Sequence, residues 1–274
     1  MNVLCKTHKT SQIVRKDSLN MRNIALTLQY HGTSYHGWQR QKNAMTVQQT
    51  VEEAIFAVTG ENSTVHGCGR TDAGVHALEY VCNFRSPAKL PIERVPHALN
   101  AQLPDDICCL SAYDAEPEFH ARFSATGKKY VYKILNRDTR DVFLKDLAWQ
   151  IKYPLDIDII RQACVPFVGT HDFAAFCAVG GTVKETTRTI YSLDASRQGD
   201  VISIEVEGNG FLYNMVRIVV GTLVYAANGK IDVNDIADII SGKNRCVAGI
   251  TAPPHGLYMA KAMYGTTAAM KNKP

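Results

Sequence analysis

The sequence predicts an α+β protein, mainly antiparallel, made of two similar subdomains. Three observations point there. Strand-like segments come in consecutive pairs, amphipathic helical segments fall between them, and the second half of the chain repeats the alternation with different residues. A doubly wound parallel sheet would instead place a helix after every strand. No low-complexity linker divides the chain, so a boundary near Phe123 to Gly127 separates parts that pack closely, 22–123 and 124–264.

Residues 24–30, Ile-Ala-Leu-Thr-Leu-Gln-Tyr, alternate apolar and polar positions as a half-buried strand does. A polar, Gly-containing stretch with Trp38 and Arg40 follows, from His31 to Asn43. Thr46 and Gln49 then form a capping-box pattern, with Val47, Val51, Ile55 and Val58 at helical spacing until Gly60 ends the helix. Ser63 to Cys68 reads as a short strand running into the loop Gly69-Arg70-Thr71-Asp72-Ala73-Gly74, and a second strand lies near Glu79 to Arg85. Pro91 opens a helix with Ile92, Val95 and Leu99 on one face, and Ile107 to Tyr113 is a further strand.

In the second half, Lys129 to Leu135 reads as a strand and Ile157 to Phe167 as a helix. Thr187 to Ser196 and Asp200 to Glu207 form a hairpin around Arg197-Gln198-Gly199. Phe211 to Ala227 is a long apolar helix stopped by Asn228-Gly229. Asp232 caps a last helix with Ile236, Ile239 and Ile240 inward, and Leu257 to Met263 is the final strand.

With 274 residues, 46% hydrophobic and 20% charged, the chain has material for a substantial core. No apolar run approaches the roughly 20 residues that cross a bilayer, so the sequence predicts a soluble protein. Residues 1–21 carry Lys6, Lys9, Arg15 and Lys16 against Asp17 and lack an apolar run. They read as a disordered basic tail rather than a secretory signal, with Met21 a candidate alternative start, and 265–274 as a short second tail. Eight cysteines are scattered without a C-x-x-C pair, and His66 with Cys68 supplies only two ligands. Neither a zinc site nor a disulfide framework is predicted; reduced thiols in a cytoplasmic protein are. The net charge of +4 and a pI near 8.5 are compatible with a nucleic-acid partner without arguing for one.

Three features carry possible chemistry. In the loop 69–74 two glycines bracket an arginine and an aspartate, holding the Asp72 carboxylate on a tight backbone at a strand end. Such an Asp is either a turn residue bonded to its own backbone or part of a site. The loop is not a dinucleotide fingerprint, and no lysine completes a P-loop. Arg217 sits within the apolar helix 211–227, where an unpaired guanidinium would cost several kcal/mol. It either reaches a surface carboxylate, snorkels, or pairs with a catalytic acid whose charged form it stabilises. Tyr130 and Tyr132 share one strand face beside Lys128 and Lys129, either as packing residues or as a base-stacking aromatic next to phosphate-binding lysines. His36, His76, His120 and Arg122 are individually uninformative. No Ser-His-Asp set, Cys-His set or glycosidase-like carboxylate pair has local support.

At this point six ordered blocks resemble the TruA family of tRNA pseudouridine synthases. They are Tyr35-His36-Gly37-Trp38-Gln39-Arg40-Gln41, Gly69 to Ala77, Phe119 to Ala125, Lys129 to Tyr132, Phe211 to Arg217 and Ala252 to Tyr258. The resemblance as a whole spreads from Arg22 to about Tyr264, and Met259 stands where a leucine is common. The resemblance implies two RRM-like, ferredoxin-like subdomains joined in one long mixed, mainly antiparallel sheet with helices on one face. It implies a cofactor-free, metal-free isomerisation of uridine at positions 38, 39 and 40 in the anticodon stem-loop of tRNA. The enzyme would be a cytoplasmic homodimer with neither membrane nor DNA as partner. By the same resemblance Asp72 is the essential aspartate, acting as nucleophile or as base, and Arg217 is its partner. Tyr130 would stack on the target base and assist proton removal at C5, Arg70 would displace that base, and Leu257 would line the pocket. Two rivals come from other classes, a catalytically silent RNA-binding module and an RNA N-glycosidase that would release free uracil.

Overall fold

Period-two apolar patterning builds one sheet, and every strand described joins it. The computed structural model describes residues 21–180 and 185–265, so the two expected tails, apart from Met21 and Gly265, lie outside the described residues. The strands are β1 (Arg22–Tyr30), β2 (His66–Gly67), β3 (His76–Ser86), β4 (Ile107–Ala115), β5 (Ala125–Asn136), β6 (Trp149–Ile151), β7 (Gly169–Asp172), β8 (Thr187–Gln198), β9 (Val201–Gly208) and β10 (Leu257–Tyr264). They lie in the order β4-β1-β3-β10-β5-β9-β8-β7, with β2 on β3 and β6 on β5. Pairing is antiparallel except at β3–β10 and β5–β6, as the mixed, mainly antiparallel α+β reading expects. The helices are α1 (Val47–Thr59), α2 (Val95–Asn100), α3 (Ile157–Cys164), α4 (Met215–Ala227) and α5 (Ile236–Gly242). None of the described helices is long and apolar enough to cross a membrane.

The seam between the halves is short. β10 pairs in parallel with β3 through Tyr258↔His76 and Met259↔Ala77, and antiparallel with β5 along its other edge. The last strand therefore sits in the middle of the sheet, and Leu257 at its start faces Tyr132 across the ladder.

Several elements differ from the sequence reading, each for a local reason. β1 is buried on both faces rather than half-buried, because its polar positions find internal partners. The Asn23 amide donates to the carbonyls of Glu116 (2.8 Å) and Phe119 (2.9 Å), while Thr27 shares a hydrogen bond with the Tyr113 hydroxyl. α1 keeps half of its capping box. Thr46 Oγ1 accepts from the Gln49 N–H at 3.4 Å, but the Gln49 side chain turns to Glu53. Gly60 ends the helix in the left-handed region, φ 73°.

A single 3-10 turn precedes α2, and α3 stops at Cys164 before another around Pro166, which cannot donate to the preceding turn. α4 starts at Met215 instead of Phe211, because Asn214 takes a left-handed backbone, φ 59°. β6 and β7, of three and four residues, are too short for their periodicity to register.

His76 pins the seam. Its Nδ1 accepts from the Gly32 N–H at 3.0 Å, so its Nε2 carries the proton toward the carbonyls of Asp146 (3.0 Å) and His255 (3.1 Å). The ring also stacks on Tyr258, centroids 4.7 Å apart. Burial, with His31 nearby, pushes the imidazole down from 6.5 to about 4. As pH falls from 6.5 toward 4, the unfolded chain takes up a proton that the folded chain refuses, so this group's contribution to stability is lost across that window and is constant below it. Denaturant unfolding should show stability falling below pH 6.5 and levelling off where NMR finds the native ring titrating, near 4. A His76 midpoint near 6.5 would contradict the buried, neutral assignment.

Candidate active site

The Asp72 loop takes its shape from the loop that follows β1. The Trp38 N–H donates to the Thr71 carbonyl and the Gly74 N–H to the Tyr35 carbonyl, each at 3.2 Å, while Tyr30 and Thr71 share a side-chain hydrogen bond of 2.9 Å. Gly37 stands at φ +83°, and a Cβ there would lie 2.3 Å from the Thr71 carbonyl oxygen. Trp38 is buried and stacked on Tyr80 at 4.2 Å, and the Tyr80 hydroxyl donates to the Gly69 carbonyl. The backbone carrying Asp72 is thus held on both sides by groups distant in sequence.

From the other half of the chain, α4 delivers Arg217. Its Nη1 donates to Asp72 Oδ2 at 3.1 Å and to Asn214 Oδ1 at 2.7 Å, and its Nε to the Ala252 carbonyl at 2.7 Å. The Asp72 side chain is 26% exposed and that of Arg217 14%, so the ion pair sits at the mouth of the interior rather than on the surface. Of the alternatives for Arg217, pairing with the loop carboxylate is the one observed. The helix can present it because the segment 249–252 packs directly on α4. A Cβ on Gly221 would lie 1.8 Å from the Ile250 carbonyl oxygen.

Asp72 and Arg217 open into a cavity of about 850 Å³ that Arg70, Tyr130 and Leu257 also line. The structure therefore brings all five expected site residues around one space. Leu257 is buried in its wall, whereas Arg70 is exposed, without an ion pair among the described residues. The tyrosine pair separates into two roles. Tyr132 is fully buried with its hydroxyl on the Pro253 carbonyl at 2.7 Å, whereas Tyr130 faces the cavity, edge-on to Phe211 at 5.2 Å. Burial, with Cys68 and Asp72 adding, holds the Tyr130 phenol well above its ordinary value, so it keeps its proton at neutral pH.

The lysines divide likewise. Lys129 is engaged by Glu205 (2.7 Å) and Glu207 (3.4 Å), but Lys128 has no carboxylate partner among the described residues and points into the cavity beside Gly69. Burial first, then Arg122 and Arg188, pushes its ammonium down. Among the described lining residues, Arg70, Arg122, Lys128 and Arg217 face the single carboxylate of Asp72, so the cavity is cationic. Cys68 lies behind the wall with its thiol pushed up to about 12 by burial, which removes it as a nucleophile. No group of three or more His, Cys, Asp or Glu side chains suited to a metal occurs among the described residues.

Sequence reasoning missed Gly37, Phe211, and the grouping of His66, His120, Arg122 and Phe123 at the rim. Gly37, Phe211, His120, Arg122 and Phe123 had a sequence signal only as members of the resembling blocks, and His66 lies outside them.

The comparisons agree with one another. A family model described as tRNA pseudouridine synthase matches residues 27–124 and 163–265. The chain is 51% identical over 244 residues to the tRNA pseudouridine synthase A of Thermoanaerobacter sp. (strain X514), covering 89% of this chain and 100% of that protein. It is 45% identical over 245 residues to the protein of that name in Ruminiclostridium cellulolyticum, with the same two coverages. For the Acetivibrio thermocellus protein the identity is 44% over 244 residues, again with the same coverages.

Two left-handed glycines make a controlled comparison. Gly60→Ala meets no atom within 4 Å and should cost about 1 kcal/mol, from backbone conformation alone. Gly37→Ala also collides with the Thr71 carbonyl and should cost roughly 2–4 kcal/mol in urea unfolding. Equal costs would show that the Asp72 loop is not shaped by Gly37.

Proposed function

The chain belongs to the tRNA pseudouridine synthase family and so isomerises uridine to pseudouridine in tRNA; we propose that it acts at positions 38, 39 and 40 of the anticodon stem-loop, with Asp72 as its essential carboxylate. The observation that carries this reading is the Asp72–Arg217 pair at 3.1 Å, set in a cationic cavity beside a protonated tyrosine.

A uridine stacked in an arm is out of reach of any cavity, so it must be flipped, at a cost of a few kcal/mol. Arg70, exposed at the rim and free of ion pairs among the described residues, takes the place the base leaves. Tyr130 then lies against the flipped uracil and Leu257 closes the pocket wall. Asp72 starts the reaction as nucleophile or as base, and the N1–C1′ bond breaks. The uracil turns, C5 is joined to C1′, the proton at C5 is lost and N1 gains one. The product is an isomer of the substrate, so the atoms balance without a co-reactant.

Arg217 holds the Asp72 carboxylate in one orientation through the turnover, its Nη1 also donating to Asn214 Oδ1 and its Nε to the Ala252 carbonyl. Because Tyr130 holds its proton, stacking rather than resting-state base chemistry is its first role, and removal of the C5 proton falls to it only if the reaction first lowers its affinity for its own. The enzyme works as a cytoplasmic homodimer, the second subunit extending the cationic surface that meets the phosphates.

Tritium release from tRNA carrying 5-tritiated uridine tests the reading. Wild-type protein should release tritium and leave no free uracil, whereas Asp72→Asn should lose about 10³-fold or more in kcat while still binding tRNA. Free uracil would identify an N-glycosidase, and full activity in Asp72→Asn would overturn the catalytic assignment. Transcripts with the uridines at positions 38 to 40 changed one at a time should lose release only at the changed site.

A further inference from the structure

The turn between β4 and β5 holds an aromatic ring in the open. Phe123 is 77% exposed, yet the turn carrying it is fixed from several sides. Ala121, itself fully buried, donates its N–H to Asn83 Oδ1 and accepts from the Tyr264 hydroxyl, both at 2.8 Å. His120 N donates to Ser124 Oγ at 3.1 Å, and Ser124 N returns to the His120 carbonyl at 2.9 Å. A loose loop therefore does not account for the exposure. Core packing does not account for it either, since the ring leans on a file of imidazoles. The His120 ring centre is 4.4 Å from that of Phe123 and 4.8 Å from that of His66, with interplanar angles of 39° and 33°. The Arg122 guanidinium stands 5.6 Å over the Phe123 ring. All four side chains line the same cavity as Asp72.

We propose that Phe123, backed by His120 and His66, is a stacking platform for an unpaired tRNA base neighbouring the target uridine, and that Arg122 and Lys128 take the phosphate of that nucleotide. The proposal rests on the reading of this cavity as the tRNA site. The occupant follows from what surrounds the ring. A nucleobase offers an apolar π-face to stack on while its backbone brings negative charge to nearby cations. Lys128 is partly buried and lacks a carboxylate among the described residues, so it lacks the anion a phosphate supplies. The cavity, at about 850 Å³, lies at the upper end of sites that hold a drug-sized ligand, leaving space beyond one flipped nucleotide. The anchored turn presents the ring already ordered, so stacking loses little conformational freedom.

The test measures binding of an unmodified tRNA transcript, by fluorescence anisotropy, to Phe123 variants in the Asp72→Asn background, with tritium release by the same variants in the active enzyme. Phe123→Ala should weaken binding by roughly tenfold or more, with most of the loss in turnover falling in KM. Phe123→Trp should restore affinity, and Phe123→Leu, apolar but lacking a π-face, should not. The slope of log Kd against log salt should be unchanged in Phe123→Ala and about one unit shallower in Arg122→Ala. Wild-type affinity in both the Ala and the Leu variants overturns the platform. So does equal rescue by Leu and Trp, which would reduce the ring to a greasy contact. Loss of self-association by sedimentation with tRNA affinity intact would make the ring a protein interface instead. Wild-type tritium release separates the two readings. Release in the wild type with normal binding by Phe123→Ala sinks only the platform, and no release in the wild type sinks the function beneath it.

Discussion

A guanidinium set in the first turn of an otherwise apolar, buried helix has to be neutralised by whatever packs around it, and much of this protein is organised by that demand. Arg217 distributes its donors over Asp72, Asn214 and the Ala252 carbonyl. Each partner imposes its own condition. Asn214 adopts a left-handed backbone and so sets where α4 begins. The segment reaching Ala252 must lie flat on α4, which Gly221 and Gly249 allow by offering no side chain at the contact. Asp72 must be brought from the other half of the chain, which requires the β3–β10 seam and the mould around Gly37. Breaking such a pair by removing one partner leaves a charge uncompensated, which is why a site arginine of this kind is also structural.

Physical readings of the sequence captured what was local. The Thr46 cap, the left-handed Gly60, the hairpin of β8 and β9 and the inward isoleucines of α5 all follow from spacing and residue type. Arg217 was legible as a problem, since a buried charge announces the need for an anion without saying which. What escaped was non-local or too short. The early start expected for α4 failed on one left-handed residue, and β1 looked half-buried because Asn23 and Thr27 find partners some 90 residues away. Gly37 is ordinary in sequence, and its function exists only once Thr71 is against it. His66 comes from β2, and His120 and Phe123 from the turn between β4 and β5, so no window on the chain shows them stacked. The chemistry itself was named by the resemblance and not by spacing.

The site also separates groups that look equivalent on paper. Two adjacent lysines have opposite fates, Lys129 held by two glutamates and Lys128 left to the cavity. Two tyrosines on one face divide into a packed residue with its hydroxyl satisfied and a protonated ring facing the substrate space. Strand alternation explains the lysines, which are adjacent and so lie on opposite faces, but not the tyrosines. Side chains two apart share a face, but depth along the strand decides which meets solvent and which meets the core.

The position of β10 bears on how the molecule is made. During synthesis β3 and β5 emerge long before residues 257–264, so each carries an open edge that its final neighbour has not yet covered. Exposed edges of this kind invite pairing with other chains, and contacts of such long sequence separation close slowly. Asp72 and Arg217 are both synthesised before the strand whose pairing with β3 and β5 joins the two halves that carry them.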